Sequence, residues 1–222
     1  MIKTLRTIFK QDKEKFRIPR SVQQVIPIQA VWADGVFQVG RNKFTRTYKF
    51  MDINYAVASR EDQETMFLEY SELLNSFDSG ATTKITINNR RLNRQDFEKA
   101  ILIPMREDGL DAYREEYNEM LLEKATGSNR MVQEKYVTVS VYKKTVEEAR
   151  SYFARVGTDL MGHFARLGSK CVELDATERL RALHDFYRAG EETAFFFDLP
   201  QAMKKGHSFK DYICPDTFEF EK

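Results

Sequence analysis

Asp34 and Gly35 separate two apolar-rich runs, VIPIQAVWA and VFQVG, and an Asp-Gly pair in that setting is the strongest short-range signal of a β-hairpin. A second break at Arg41-Asn42 leads into KFTRTYKFMDINYAV, so Val25–Val57 reads as an antiparallel meander. On the strand from Lys43, side chains alternate between faces. Lys43, Thr45, Thr47 and Lys49 share one face, and Phe44, Arg46, Tyr48 and Phe50 share the other.

The same stretch imitates a phosphate-binding loop, because Gly35 and Gly40 are separated by four residues and followed by a basic one. A phosphate loop needs a lysine for the β and γ phosphates, a hydroxyl for magnesium and a helix whose N-terminus faces the anion. Here Arg41 and Asn42 stand in those two places, and a strand pattern follows. Gly35 is therefore read as a turn glycine. Gly157 and Gly162 repeat the spacing inside a helical stripe, where it carries no such meaning.

Ser59, with Asp62 three residues on, caps a helix in which Met66, Phe67, Tyr70, Leu73, Leu74 and Phe77 recur at threes and fours and are expected to face the core. The strand TTKITINNRRL follows, with Ile85 and Ile87 on one face. Residues 93–130 read as two helices broken at Pro104. The first starts at an Asn93 cap and runs through Phe97 and Ile101, and the second, densely charged, shows only the stripe Tyr113, Tyr117, Met120 and Leu121.

KYVTVSVYK opens a second block. Thr145 and Glu148 form a capping box for a helix running through Phe153, Val156, Leu160 and Phe164 to Gly168; after the strand KCVEL, Asp175 and Glu178 cap a helix ending at Gly190. The strands on either side of the Phe153 helix should lie parallel in one sheet. The fold class expected is α+β, an antiparallel meander plus split βαβ-type units, with long amphipathic helices covering one face of the sheet. By range, residues 1–22 are a basic arm with Ile2, Leu5, Ile8 and Phe9 at amphipathic spacing. Residues 23–193 are the domain, divisible into 23–92 and 93–193, and 194–222 are a tail leading toward a further domain.

Charge narrows the function. Residues 1–50 hold eleven Lys or Arg against three acids, about +8, so the remainder of a chain with net charge +1 carries about −7. Two distant cysteines, Cys171 and Cys214, suit a reducing compartment, and no run approaches the ~18 apolar residues of a membrane span. His163, His184 and His207 lack metal-ligand spacing, and Cys171 with His184 is the one conceivable nucleophile pair. Arg41, Lys43, Arg46 and Lys49 alternate with aromatics, and Arg90, Arg91 and Arg94 cluster at the next strand's end, which together make a candidate single-stranded nucleic-acid or partner surface.

The stretch from IPRSVQQVIPIQ to LEYSELLNSF, with KYVTVSV, KTVEEARSYFARV and SFKDYICPDTFEFE, resembles the N-terminal region of TraE-like conjugation ATPases. These are the VirB-type energising ATPases of type IV secretion systems, particularly those of integrative conjugative elements of Gram-positive bacteria. The resemblance covers essentially the entire chain. It implies a non-catalytic α+β docking domain that contacts the membrane transfer apparatus and other subunits, ahead of a RecA-like motor domain carrying the Walker motifs. ATP and magnesium would then belong to the motor, with no cofactor, metal or catalytic residue here. It also implies self-association of the full-length ATPase and a cytoplasmic position at the inner face of the membrane, where the basic arm would meet lipid or a membrane partner.

Overall fold

The computed structural model of the chain describes residues 18–91, 102–127, 131–191, 194–205 and 208–217. The amphipathic spacing at Ile2–Phe9 and the helix expected from Asn93 to Ile101 lie outside them.

A six-stranded antiparallel sheet organises the molecule. β1 (Ala30–Val31) and β2 (Phe37–Gln38) form the hairpin signalled by Asp34-Gly35, with Gly35 at φ +81° and Trp32 N–H donating to Val36 C=O at 3.0 Å. The next turn uses Gly40 at φ 144° and Asn42 at φ 61°, and leads into β3 (Lys43–Phe50). β5 (Met131–Tyr142) pairs with β3 along its whole length, from Lys43↔Tyr142 to Phe50↔Lys135. The other edge of β3 is shared end to end by β2 and by β6 (Cys171–Glu173). β4 (Ala81–Arg91) pairs with the outer edge of β5.

The connections make two interlocked split units. β3 and β4 are both antiparallel to β5, which lies between them, and are joined by α1 (Arg60–Asn75). β5 and β6 are both antiparallel to β3 and are joined by α3 (Val146–Arg166). The expected parallel pair therefore runs in one direction with a strand interposed. The order β6-β3-β5-β4 is the ferredoxin-like βαββαβ arrangement, extended by the β1–β2 hairpin. One sheet thus takes strands from both 23–92 and 93–193.

Capping defines the helices. Ser59 accepts from Asp62 N–H at 3.2 Å, and Thr145 from Glu148 N–H at 3.2 Å. The Glu148 carboxylate reaches one residue further back than a capping box requires, to Lys144 N–H. Asp175 and Glu178 form the full box and start α4 (Ala176–Tyr187). α2 (Asp111–Gly127) stands between β4 and β5 in sequence. Its expected apolar stripe is turned outward at Tyr113, Tyr117 and Met120, while buried Asn118 holds both the N–H and C=O of Ile103 at 2.9 Å.

On one face of the sheet, Phe44, Tyr48, Val137, Val139 and Val141 pack against Ala149, Phe153, Val156, Leu160 and Phe164 of α3. Gly157 lets α3 settle there, because a Cβ at that position would run into the Glu173 carboxylate and lie 3.1 Å from the Tyr48 ring. Only Leu73 of α1 is buried, so the broad core face expected for this helix is one narrow stripe.

The opposite face carries a second layer that alternation alone did not place. α4 lies over Thr45 and Phe37 and shares a core of Ile26, Ile28, Phe37 and Leu180 with Phe197, Ala202, Ile213 and Cys214. The range 194–222, expected as a tail, thus supplies core residues through α5 (Leu199–Lys205) and α6 (Phe209–Ile213). Val22 N–H donates to Asp216 C=O at 2.9 Å, which brings the two ends of the described chain side by side.

Candidate functional site

The Asp34-Gly35 turn has the wrong polarity for phosphate. A phosphate loop presents amide N–H groups to an anion, whereas here Gly35 N–H is used by Trp32 C=O at 2.9 Å and Val36 N–H faces Asp34 Oδ1 at 3.4 Å. The carbonyls point at cations. Arg46 Nη2 donates to Asp34 C=O at 3.2 Å, Arg179 Nη1 to Gly35 C=O at 2.5 Å, and Arg150 Nε to the Asp34 carboxylate at 2.6 Å. Burial pushes the Asp34 carboxyl up, but the Arg150 hydrogen bond, the Val36 N–H and the Arg150 and Arg46 charges outweigh it and hold the group below its ordinary value. Three arginines from β3, α3 and α4 therefore fix a turn made mostly of oxygen acceptors.

The structure distributes the basic residues singled out in the sequence over both faces of the sheet. Arg41 is exposed in the β2–β3 turn. Lys43 stands 5.4 Å over the Tyr142 ring, and Lys49, on the same face, donates to Glu134 at 2.7 Å. Six residue steps of strand separate these two lysines, about 20 Å. Arg46 points to the opposite face, where its side chain is only 13% exposed and pairs with Glu173 at 2.7 Å. Arg90 and Arg91 pair through the backbone with Val132 and Met131, beyond the reach of β3, and Arg94 lies outside the described residues. Among the described residues, Lys43, Arg46 and Lys49 therefore do not form one basic strip.

Lys49 instead lines a small polar pocket of about 180 Å³ under α4, with Glu134, Tyr136, Glu178, Arg181 and Asp185. Lys49 and the Tyr136 hydroxyl each donate to Glu134 at 2.7 Å, so this lining is internally paired. Cys171 and His184 are not brought together. Cys171 packs in the α3 core, while His184 lies on α4 across the sheet, its ring 5.2 Å from Phe195. Burial and then the Glu173 charge push the Cys171 thiol up to about 11, away from nucleophilic reactivity at neutral pH.

Among the described residues, Glu69, Glu72 and His163 are the one group of acids and imidazole with metal-compatible spacing. The Arg166 guanidinium sits on it, donating to Glu69 at 2.8 Å and lying 2.5 Å from His163 Nδ1. A cation there already bridges α1 and α3. That arrangement is a clamp between helices.

What remains is a surface. α1 leaves Phe67 (66% exposed), Leu68 (63%), Tyr70 and Leu74 uncovered, and Phe67 and Leu68 line a cleft of about 470 Å³ with Tyr55, Arg60, Gln63 and Glu64. The apolar period of α1 was legible in the sequence, but its share of burial was not. Arg179 was missed, although an arginine between Ala176 and Leu180, inside the apolar stripe of α4, was a signal of an interior position.

No helix among the described residues is long and apolar enough to cross a membrane. No protein-family model matches the chain, and no curated protein is significantly similar to it.

Proposed function

We propose that the chain is the non-catalytic docking domain of a conjugative-transfer ATPase of a type IV secretion system, and that it holds a motor domain against the membrane transfer apparatus from the cytoplasmic side. The observation that carries this is the uncovered apolar flank of α1: four large side chains, Phe67, Leu68, Tyr70 and Leu74, on a helix that packs its core through Leu73 and half-buried Met66. Contiguous apolar surface of this kind marks interaction sites in soluble domains. The same helix carries five acids, Glu61, Asp62, Glu64, Glu69 and Glu72, against Arg60 alone. The partner surface is accordingly apolar with a basic rim. The sequence resemblance supports the assignment to conjugation, and ATP with magnesium belongs to the motor.

The test is DNA transfer by the source element carrying Phe67→Asp with Leu74→Asp. Charging an interface centre costs about 1–3 kcal/mol per anchor, so transfer falls at least tenfold while ATP hydrolysis by the full-length protein is unchanged. Transfer at the wild-type rate would remove this reading. Retained docking combined with salt-dependent binding to single-stranded DNA, abolished by Arg41→Glu, would favour a nucleic-acid module instead.

A further inference from the structure

Among the described residues, β4 has only one neighbour in the sheet. It pairs with β5 without a bulge from Ala81↔Val141 to Arg91↔Met131, and its other edge is the end of the strand order. An open edge presents a row of N–H and C=O groups ready to pair with another strand, and proteins usually blunt such edges with proline, a bulge or several charges. β4 has no proline, and its charges, Lys84, Arg90 and Arg91, leave Ile85–Asn89 uncharged. Ile85 (48% exposed) and Ile87 (56% exposed) add apolar surface on the face of the sheet where α1 and α3 lie, since they stand opposite Val137 and Lys135 in the register.

A second copy fits this edge. A two-fold axis perpendicular to the sheet keeps each side chain on its own face, so only registers centred on a residue are allowed. β4 has eleven residues and its midpoint is Thr86. An axis at Thr86 pairs the strand over its full length, Ala81 with Arg91 of the other copy. It sets Ile85 opposite Ile87 and Ile87 opposite Ile85, with Lys84 opposite Asn88, so no two charges oppose one another. Moving the axis to Ile85 leaves Arg90 and Arg91 unpaired and Ile87 opposite Thr83. Length and apolar pairing select the same register, and no opposed charge stands against it.

We propose that the chain associates through β4 into a two-fold dimer in which two six-stranded sheets join into one. This stands independently of the docking reading, which concerns α1.

Sedimentation equilibrium of the whole chain tests it, with a mass twice that of the monomer expected. Ile85→Lys with Ile87→Lys sets lysine opposite lysine at both ends and yields monomer. Ile85→Lys with Ile87→Glu sets lysine opposite glutamate and retains the dimer, with at least a tenfold difference in dissociation constant between the two. Both variants charge the same half-exposed positions, so lost apolar area cannot produce that difference, and circular dichroism checks that each folds. Thr86→Cys, facing its own copy at about 4.5–5.5 Å between Cα atoms, crosslinks on mild oxidation, and Ile85→Cys does not. A monomeric wild-type chain, equal behaviour of the two charge variants, or equal crosslinking at positions 85 and 86 would each overturn the proposal.

Discussion

Arg179 reaches Thr45 twice, with Nη1 donating to its carbonyl at 2.9 Å and Nη2 to its hydroxyl at 3.1 Å, and so ties α4 to the strand at the centre of the fold. Its guanidinium carbon lies 3.8 Å from the centroid of the Phe37 ring. Among the described residues no carboxylate pairs with this buried cation. Burial first, and then the Arg46 charge, push its pKa down to about 9, which leaves it charged at neutral pH.

Removing that side chain takes a donor from the Gly35 and Thr45 carbonyls and leaves the Thr45 hydroxyl only its long contact to the Phe37 carbonyl, all in the interior. Arg179→Ala is expected to lower stability by about 2–4 kcal/mol, measured by urea denaturation at pH 7, since each unsatisfied buried polar group costs about 1–3 kcal/mol. Arg179→Lys recovers less than half of the loss, because an ammonium lacks the planar fork that reaches Gly35 and Thr45 together.

Gly35→Ala and Gly80→Ala form a matched pair. At Gly35 a Cβ would meet the Leu174 carbonyl oxygen and φ is +81°, while at Gly80 nothing lies within 4 Å. Left-handed strain of about 1–2 kcal/mol plus that clash puts the first substitution at roughly 3 kcal/mol. The second stays within about 0.5 kcal/mol, typical of an open surface position. Thermal melts of both variants decide it; equal melting temperatures would show that the Leu174 approach does not matter.

Cys171 makes stability depend on pH in the alkaline range. Its folded pKa, about 11, lies above the ordinary value of 9.0, so its contribution is complete below pH 9 and is lost as pH rises from 9 to 11. The loss is on the order of 2 kcal/mol. The stability difference between wild type and Cys171→Ala should therefore shrink from pH 8 to pH 11, followed by urea midpoints. At pH 8 the native thiol should react with a thiol reagent far more slowly than in urea.

Arg46→Glu should act on folding and leave no separate signature on ligand binding. It replaces the partner of Glu173 with a second carboxylate in a mostly buried setting, which costs about 3–5 kcal/mol. Arg41→Glu, at an exposed turn position, changes stability by less than about 0.5 kcal/mol. Chemical denaturation separates the two, and equal stability would show that Arg46 is not structurally engaged.

These contrasts show where the sequence was informative. The alternation of Phe44 and Tyr48 against Thr45 and Thr47 stated correctly which side chains enter the α3 core, because a strand's period of two is a local property. Ser59, Thr145 and Asp175 marked three helix starts for the same reason. The second layer depended on partners far away in sequence. Ile213 and Phe197 have no periodic context, yet they are buried with Ile26 and Phe37. The period of α1 could not reveal that Leu73 is covered while Phe67 is bare, since burial is decided by what the rest of the chain places there. The basic residues looked contiguous in sequence because a linear reading adds charges that the pleat sends to opposite sides.

The contact between Val22 and Asp216 has a mechanical consequence. Tension applied at the two ends of the described chain loads this clasp, together with the Gln23 amide bonds to Asp211 and to the Cys214 carbonyl, before it reaches the ladders of the sheet. A pull from either side is first resisted by side-by-side contacts in the α4 layer, so that layer can yield under force while the central strands keep their register.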